Sequence, residues 1–189
     1  MPNEHDFSAG NNYLCPDDHL WSSRDEQSSE DEVNEFLGAL IRMIKPKNVV
    51  ETGCYLGDGT IAIAKALKAN GFGRIITCDT DPERVEFVRR RIKDEELDLF
   101  ASVTCHTGKE TIEAVGALID FAFIDSSSEG SVRGDEVKEL LKHLLPMKLF
   151  ALHDTAPQHP QIRLVAESIK LPKIYFNTPR GLNLFQNFK

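Results

Sequence analysis

Short apolar runs alternate with amphipathic segments along most of the chain. Short apolar runs bounded by turn residues are typical of buried strands, whereas apolar positions three or four residues apart indicate helices. The predicted strands cover residues 47–51, 74–79, 102–106, 119–125 and 148–153. The predicted helices cover residues 59–69, 82–96, 109–118, 135–145 and 160–170. This alternation predicts a parallel sheet with helices on both faces.

The end of the chain has a different pattern. Residues 173–177 and 182–188 have strand character, and the Thr-Pro-Arg-Gly stretch at 178–181 has the composition of a turn. The sheet is therefore predicted to finish with an antiparallel hairpin. Together with the five parallel strands, this gives a doubly wound, Rossmann-like α/β fold with seven strands.

The chain before the first strand divides into two parts. Residues 1–28 show no sustained periodicity, so we expect a partly disordered N-terminal arm there. Ser29 and Glu32 then fit the Ser-x-x-Glu capping box, which satisfies backbone N–H groups at the start of a helix. Apolar residues follow at helical spacing up to Pro46, which ends the helix. We expect one folded domain over residues 29–189, a length that suits a single core.

The net charge of −8 is concentrated in the arm and the start of the first helix. Residues 1–35 contain ten acidic side chains and one basic side chain, whereas the rest of the chain contains twenty acidic and twenty-one basic ones. A near-neutral body with an acidic arm does not favour nucleic-acid binding. The arm is either a solvated tail or a lid over a pocket. Trp21 within it is either a contact to an acceptor or a simple docking anchor.

Composition also bears on the location of the protein. No apolar run reaches the length of about 18 residues that a membrane-spanning helix needs, and the first residues lack the basic and apolar regions of a secretory signal. The four cysteines lie far apart without C-x-x-C spacing, so we expect reduced thiols. These observations favour a cytoplasmic protein with no membrane partner. The oligomeric state is left open, with a homodimer as one option.

Residues 49–60 carry the most informative motif in the chain. An apolar strand ends in the carboxylate of Glu51, the glycines Gly53 and Gly57 follow, and a helix opens. Glycine permits a sharp turn there and leaves room for a ligand against the main chain. Asp79 closes the second strand, where a carboxylate can accept hydrogen bonds from both hydroxyls of a ribose. The sequence therefore predicts a nucleoside-containing cofactor.

Two classes of cofactor are compatible with such a loop. Residues 52–59 formally match the T-G-x-x-x-G-x-G loop of short-chain dehydrogenases, but those enzymes also need a catalytic Tyr-x-x-x-Lys. None of the three tyrosines, Tyr13, Tyr55 and Tyr175, is followed four residues later by lysine. Glu51 would repel the pyrophosphate of NAD, whereas it suits the positive amino-acid tail of S-adenosylmethionine (SAM).

At this point the chain resembles class I SAM-dependent methyltransferases. More narrowly, it resembles the small-molecule O-methyltransferase branch related to macrocin O-methyltransferase and cephalosporin hydroxylase-like proteins. The resemblance covers roughly residues 29–188. The stretches that carry it are Glu51 to Thr60, Asp79, Phe123-Ile124-Asp125, Leu152-His153-Asp154 and Pro179-Arg180-Gly181-Leu182.

The resemblance implies a role for each matching position. It places Glu51, Gly53 and the backbone of Tyr55 to Gly57 at the methionine end of SAM. The other cofactor contacts that it implies are Thr60 in the same loop, Asp79 at the ribose, Thr80 beside the adenine, Gly108 at the adenine edge, and Asp125 facing both cofactor and substrate.

The acceptor side departs from the family. Relatives usually follow the strand-four aspartate with Gly-Asp-His-x-Tyr-Glu-Gly, whereas Ser-Ser-Ser-Glu-Gly follows Asp125 here. Metal-dependent members bind magnesium through that aspartate and an acidic or amide pair after strand five, so Asp125 and Asp154 are the candidate ligands. His153 between them would suit a softer ion better than magnesium.

His153 and Asp154 are the candidate catalytic residues. Methyl transfer to a hydroxyl requires removal of its proton, and histidine titrates in the range that a general base needs. A His-Asp pair after a buried strand can equally serve only to cap the next loop. The sequence therefore predicts SAM-dependent methyl transfer to an oxygen of a small-molecule acceptor. A catalytically silent SAM- or S-adenosylhomocysteine (SAH)-binding module, acting as a sensor or partner subunit, is the alternative.

Overall fold

A seven-stranded sheet forms the centre of the computed structural model, which describes residues 12–116 and 118–188. Its strands are β1 (Asn48–Thr52), β2 (Arg74–Asp79), β3 (Ala101–Cys105), β4 (Ile119–Ile124), β5 (Leu144–His153), β6 (Lys173–Phe176) and β7 (Leu182–Gln186). Their order across the sheet is β3-β2-β1-β4-β5-β7-β6. The first five strands are parallel, and β7 runs antiparallel to β5 and β6. The predicted doubly wound sheet with a terminal hairpin is confirmed.

In the described part of the chain, six α-helices cover the two faces of this sheet. They are α1 (Asp31–Ile44), α2 (Asp58–Asn70), α3 (Pro82–Asp94), α4 (Gly108–Val115), α5 (Gly130–His143) and α6 (Pro160–Ser168), preceded by a short 3₁₀ helix (Asp18–Leu20). Helices α1 to α3 contribute to one apolar cluster, and α4 to α6 contribute to the other. Every residue of β4 is buried and all but Asp120 are apolar, as expected for a strand that is covered on both faces.

The start of α1 differs from the prediction. The hydroxyl of Ser29 donates to the side-chain oxygen of Asn34, and the carboxylate of Glu32 accepts from the backbone N–H of Ser22. The predicted capping box is therefore wrong, because both side chains have other partners. The N-cap residue is Glu30, whose side chain makes no cap hydrogen bond and lies buried.

Helix α5 also begins earlier than predicted, at Gly130 rather than at residue 135. Its first turn buries Arg133, a charged side chain that an apolar pattern does not register. The other boundaries agree to within a few residues, apart from β5, which begins at Leu144 rather than at residue 148.

The strand order creates a cleft at the carboxyl ends of β1 and β4. The chain moves outward from β1 to β3 and then returns to add β4 on the opposite side of β1. Ligands of doubly wound proteins bind at such a switch point. The ends of β1, β2, β4 and β5 bring most of the predicted site residues to this edge. No helix in the described ranges is long and apolar enough to cross a membrane.

Candidate active site

Glu51 lies one residue before the end of β1, and it is 2% exposed. Its carboxylate accepts hydrogen bonds from the hydroxyls of Thr60 and Thr77, the latter at 2.6 Å. Burial raises the pKa of Glu51 to about 7, although both hydroxyl donors favour the charged form. An ammonium group beside this carboxylate would favour its ionisation, so the site suits a ligand that carries one.

The loop after β1 is tied to the ends of β2 and β4. Gly53 has a φ of +78°, and a Cβ atom there would lie 2.5 Å from the carbonyl oxygen of Asp125 and closer still to Ser126 Cα. The backbone N–H of Tyr55, which also has a positive φ, donates to Asp79 Oδ2 at 3.1 Å. Glycine at position 53 is thus required by the neighbouring backbone itself, in addition to any room that it leaves for a ligand.

The remaining predicted cofactor residues lie around this loop. Gly57 precedes α2 with a φ of +85° and packs against Val88. Thr80 is exposed directly after β2. Gly108 is the first residue of α4 and lies against the carboxylate of Glu136, so its close neighbours in the structure are protein groups.

His153 is the centre of a second set of interactions, at the end of β5. It is 1% exposed, its Nε2 lies 2.7 Å from a carboxylate oxygen of Glu30, and its Nδ1 lies 3.2 Å from Asp125 Oδ2 and 3.5 Å from Asp154 Oδ1. Burial alone would lower the pKa of His153, but the charges of Asp125, Glu30 and Asp154 raise it to about 10. The imidazole is therefore a cation at neutral pH.

Arg133 reaches the same place from α5 and is also 1% exposed. Its Nη2 donates to Asp125 Oδ1 at 2.9 Å and to Asp154 Oδ2 at 3.1 Å. Its Nη1 donates to the backbone carbonyls of Ile124 and His153 at 2.9 and 3.2 Å. One buried guanidinium thus links the ends of β4 and β5.

Arg180, in the turn between β6 and β7, completes the arrangement. Its Nε donates to Asp154 Oδ1 at 2.8 Å, its backbone N–H donates to Glu30 at 2.8 Å, and its Nη1 donates to the carbonyl of Glu26 at 2.6 Å. Three carboxylates therefore meet three cations. We call this set the ion cluster: Glu30, Asp125 and Asp154 with Arg133, His153 and Arg180.

The cluster changes the interpretation of the predicted catalytic pair. The imidazole of His153 is buried among carboxylates that keep it protonated, so it is not available to accept a proton from an acceptor. The general-base role stays a prediction that this geometry does not favour. Asp125, at the end of β4, is only half-buried, whereas His153 and Asp154, at the end of β5, are buried. Of these three residues, Asp125 is the one that a ligand can reach.

The sequence interpretation did not assign Glu30 or Arg133 to the site. A signal for Arg133 was present, because Arg133, Glu136, Val137 and Leu140 share one stripe of α5 at helical spacing, and all four are buried. Charged residues on an otherwise apolar stripe indicate a buried ion network. Glu30 had no comparable signal.

Residues 24–28 of the N-terminal arm, together with Ser29, lie over the glycine loop after β1. Arg24 donates to both oxygens of Asp58 at 2.7 and 2.8 Å, and Tyr55 Oη donates to Asp25 at 3.1 Å. Residues 27–29 and the loop after β1 enclose a cavity of only about 40 Å³. The predicted arm residues 1–11 lie outside the described residues.

Trp21 lies beside a larger, mostly apolar cavity of about 410 Å³ at the same end of the sheet. Val33 and Phe36 of α1, together with Phe176 and Leu182 of the hairpin, form its apolar walls. Its volume is in the range of small-molecule sites.

A family model described as a methyltransferase domain matches residues 50–155. Among curated proteins, tricin synthase 1 of Oryza sativa subsp. japonica is 29% identical over 65% of this chain and 50% of its own length. Catechol O-methyltransferase of Niastella koreensis is 32% identical over 49% of this chain and 42% of its own length. The chain thus spans half or less of these two relatives.

The fold is also found in solved structures. The O-methyltransferase TomG from Streptomyces achromogenes, solved in complex with SAM, superposes with a TM-score of 0.73 at 15% identity. The match covers 87% of this chain and 83% of that one. At this identity the likeness establishes the fold.

Proposed function

The chain belongs to the methyltransferase-domain family, and from this premise we propose that it transfers a methyl group from SAM to an oxygen of a small-molecule acceptor. The observation that carries the proposal is the pair of carboxylates, Glu51 and Asp79, on either side of the glycine loop at the switch point of the sheet. One suits an ammonium group and the other suits a ribose. The relatives named as O-methyltransferases support oxygen as the acceptor atom.

Bound SAM would supply an electrophilic methyl group on its sulfonium. The protein must then orient an acceptor hydroxyl in line with that methyl group and take up its proton. Asp125 is placed to contact and orient the acceptor hydroxyl, because it is half-buried at the end of β4 beside Gly53. His153 and Asp154 act as positioning residues: His153 contacts Asp125 directly, and Asp154 accepts a hydrogen bond from Arg133, which also donates to Asp125.

A silent SAM- or SAH-binding module is not favoured, because the curated relatives are named as enzymes. We also propose a cytoplasmic location, which the four free cysteines support.

Asp79→Ala should weaken SAM binding by about tenfold or more, because a hydrogen bond to a charged group contributes about 1.5–3 kcal/mol. Calorimetric titration with SAM, SAH and NADH measures this directly. Asp98→Ala, which removes an exposed carboxylate after α3, is the matched control and should leave the affinity unchanged. Unchanged SAM affinity in Asp79→Ala would remove the ribose assignment, and binding of NADH rather than SAM would overturn the proposed cofactor.

Residues 24–29 are the lid of this site. The cavity that they cover over the glycine loop has room for only a few water molecules, so we expect residues 24–29 to move when the methionine part of SAM binds. The lid is held by the Arg24–Asp58 pair, by the hydrogen bond from Tyr55 to Asp25, and by the contact of Arg180 with the Glu26 carbonyl.

Arg24→Ala should accelerate both association and dissociation of SAM by about two- to fivefold, since a partly exposed ion pair contributes about 0.2–1 kcal/mol. Trp21 is the single tryptophan of the chain and lies close to the lid in sequence, so stopped-flow fluorescence can follow the step. Arg89→Ala, which breaks only the exposed pair with Glu86, is the control. Identical rates in Arg24→Ala and wild type would contradict the lid.

A further inference from the structure

We propose that the side-chain cations of the ion cluster, chiefly Arg133 and Arg180, take the place of a divalent metal ion at the ends of β4 and β5. Methyl transfer in this chain then requires no metal. This inference rests on the proposed function, and it departs from the magnesium site that Asp125 and Asp154 suggest in the sequence.

The candidate ligand atoms lie close together but already have partners within the protein. One ligand atom each from Asp125, His153 and Asp154 lies within 4.8 Å of the others, which is close enough for a shared ion. The oxygens concerned, however, already face cations of the protein. Asp125 Oδ1 and Asp154 Oδ2 face Arg133, and Asp154 Oδ1 faces Arg180 at 2.8 Å. Asp125 Oδ2 faces the imidazole at 3.2 Å.

The two guanidinium groups are difficult to displace from these carboxylates. Arg133 is enclosed between strand ends, and its Nη1 also satisfies two backbone carbonyls. A metal ion that took its carboxylates would leave a buried guanidinium without a counter-charge, which is strongly unfavourable. Arg180 is held at three points, through Nε, Nη1 and its backbone N–H.

The set of donor atoms at the strand ends does not suit magnesium either. Magnesium prefers oxygen ligands in octahedral geometry and keeps several waters. The strand ends offer two carboxylates and an imidazole, and the imidazole is held by Glu30 through its other nitrogen. These residues therefore do not fit magnesium, and the charge that the ion would neutralise is already balanced.

Titration with Mn²⁺ alone, followed by electron paramagnetic resonance, tests the inference on the full chain. We expect that the wild type binds no Mn²⁺ at Asp154, so Asp154→Asn should leave the Mn²⁺ spectrum unchanged. We also expect the SAM affinity to be the same with EDTA and with added Mg²⁺. Weak Mn²⁺ binding that persists in Asp154→Asn supports the inference as well, because the ion is then elsewhere. A wild-type Mn²⁺ site that Asp154→Asn removes, or SAM affinity that EDTA lowers, would overturn it.

Arg180→Gln provides a positive readout. Arg180 lies at the rim of the ion cluster, with 16% of its side chain exposed. Its replacement by glutamine makes Asp154 accessible and leaves the cluster with one positive charge fewer. A Mn²⁺ site should therefore appear in Arg180→Gln, with an affinity at least about tenfold above any residual Mn²⁺ binding of the wild type, the scale of effects that groups around a metal site have on affinity. No gain in Arg180→Gln would contradict the role assigned to Arg180. Mn²⁺ binding is measured in the absence of SAM. A negative result in this experiment is therefore distinct from a failure of the protein to bind SAM.

Discussion

His153→Ala is expected to lower the free energy of unfolding by about 3–5 kcal/mol at neutral pH, the usual cost of removing one partner from a buried ion pair. The imidazole lies between the carboxylates of Glu30 and Asp125, so the substitution leaves both without this cation. Glu30 is completely buried, so water cannot compensate for the loss. Denaturant unfolding at constant pH measures the loss. His106→Ala, at an exposed position after β3, is the control and should change stability by less than about 0.5 kcal/mol.

The pH dependence of that loss identifies its origin. The pKa of His153 is raised to about 10 in the folded protein by the carboxylates around it, whereas an unfolded histidine titrates near its ordinary pKa of about 6.5. The stabilisation is therefore fully present below pH ~6.5 and is lost as the pH rises through ~10. Glu51 also titrates during unfolding, but it is present in both proteins, so the difference between wild type and His153→Ala should shrink as the pH rises through this window.

The same variant separates two roles for His153. A general base that is otherwise unimportant to the fold would leave stability intact and abolish only turnover. A positioning cation lowers stability first, and its loss alters the setting of Asp125 as well. A fully stable but inactive His153→Ala would return the residue to the role of general base.

The parts of the fold that depend on local pattern could be predicted from the sequence. Apolar runs predicted the parallel strands, and the turn at 178–181 predicted the terminal hairpin, because burial on both faces and tight turns each restrict residue type. The carboxylates Glu51 and Asp79 could be placed because strand ends meet at one edge of a parallel sheet.

The ion cluster could not be predicted in this way, because its partners come from distant parts of the chain. Glu30 lies 123 residues from His153, and the local Ser-x-x-Glu pattern assigned its surroundings to a helix cap. The long-range pairing of Glu30 prevails over the local pattern, since a buried charge must find a counter-charge. Asp125, His153 and Asp154 lie at the ends of neighbouring strands, and this placement suggested a metal site. The cation that Asp125 and Asp154 share is instead the guanidinium of Arg133, which comes from helix α5 and was not part of the strand pattern.

Gly53→Ala is expected to reduce the stability of the protein by about 4 kcal/mol or more, which is exceptional for the addition of one methyl group. The new Cβ would lie 2.5 Å from the Asp125 carbonyl oxygen and 2.9 Å from its carbonyl carbon, and backbone atoms at a strand end cannot rotate away. The loop after β1 and the end of β4 would have to separate. Because Asp125 lies on that boundary, the folded fraction should also bind SAM more weakly.

Gly71→Ala is the matched control for this experiment. Gly71 ends α2 with a φ of +80°, almost the same as the +78° of Gly53, but a Cβ there meets nothing within 4 Å. Its substitution should therefore cost only the strain of a left-handed alanine, about 1–2 kcal/mol. The difference between the two variants in thermal or denaturant unfolding isolates the close approach of β1 and β4. Equal losses would mean that position 53 needs glycine for its backbone angle alone, and that the strand ends at the proposed cofactor site can move apart without cost.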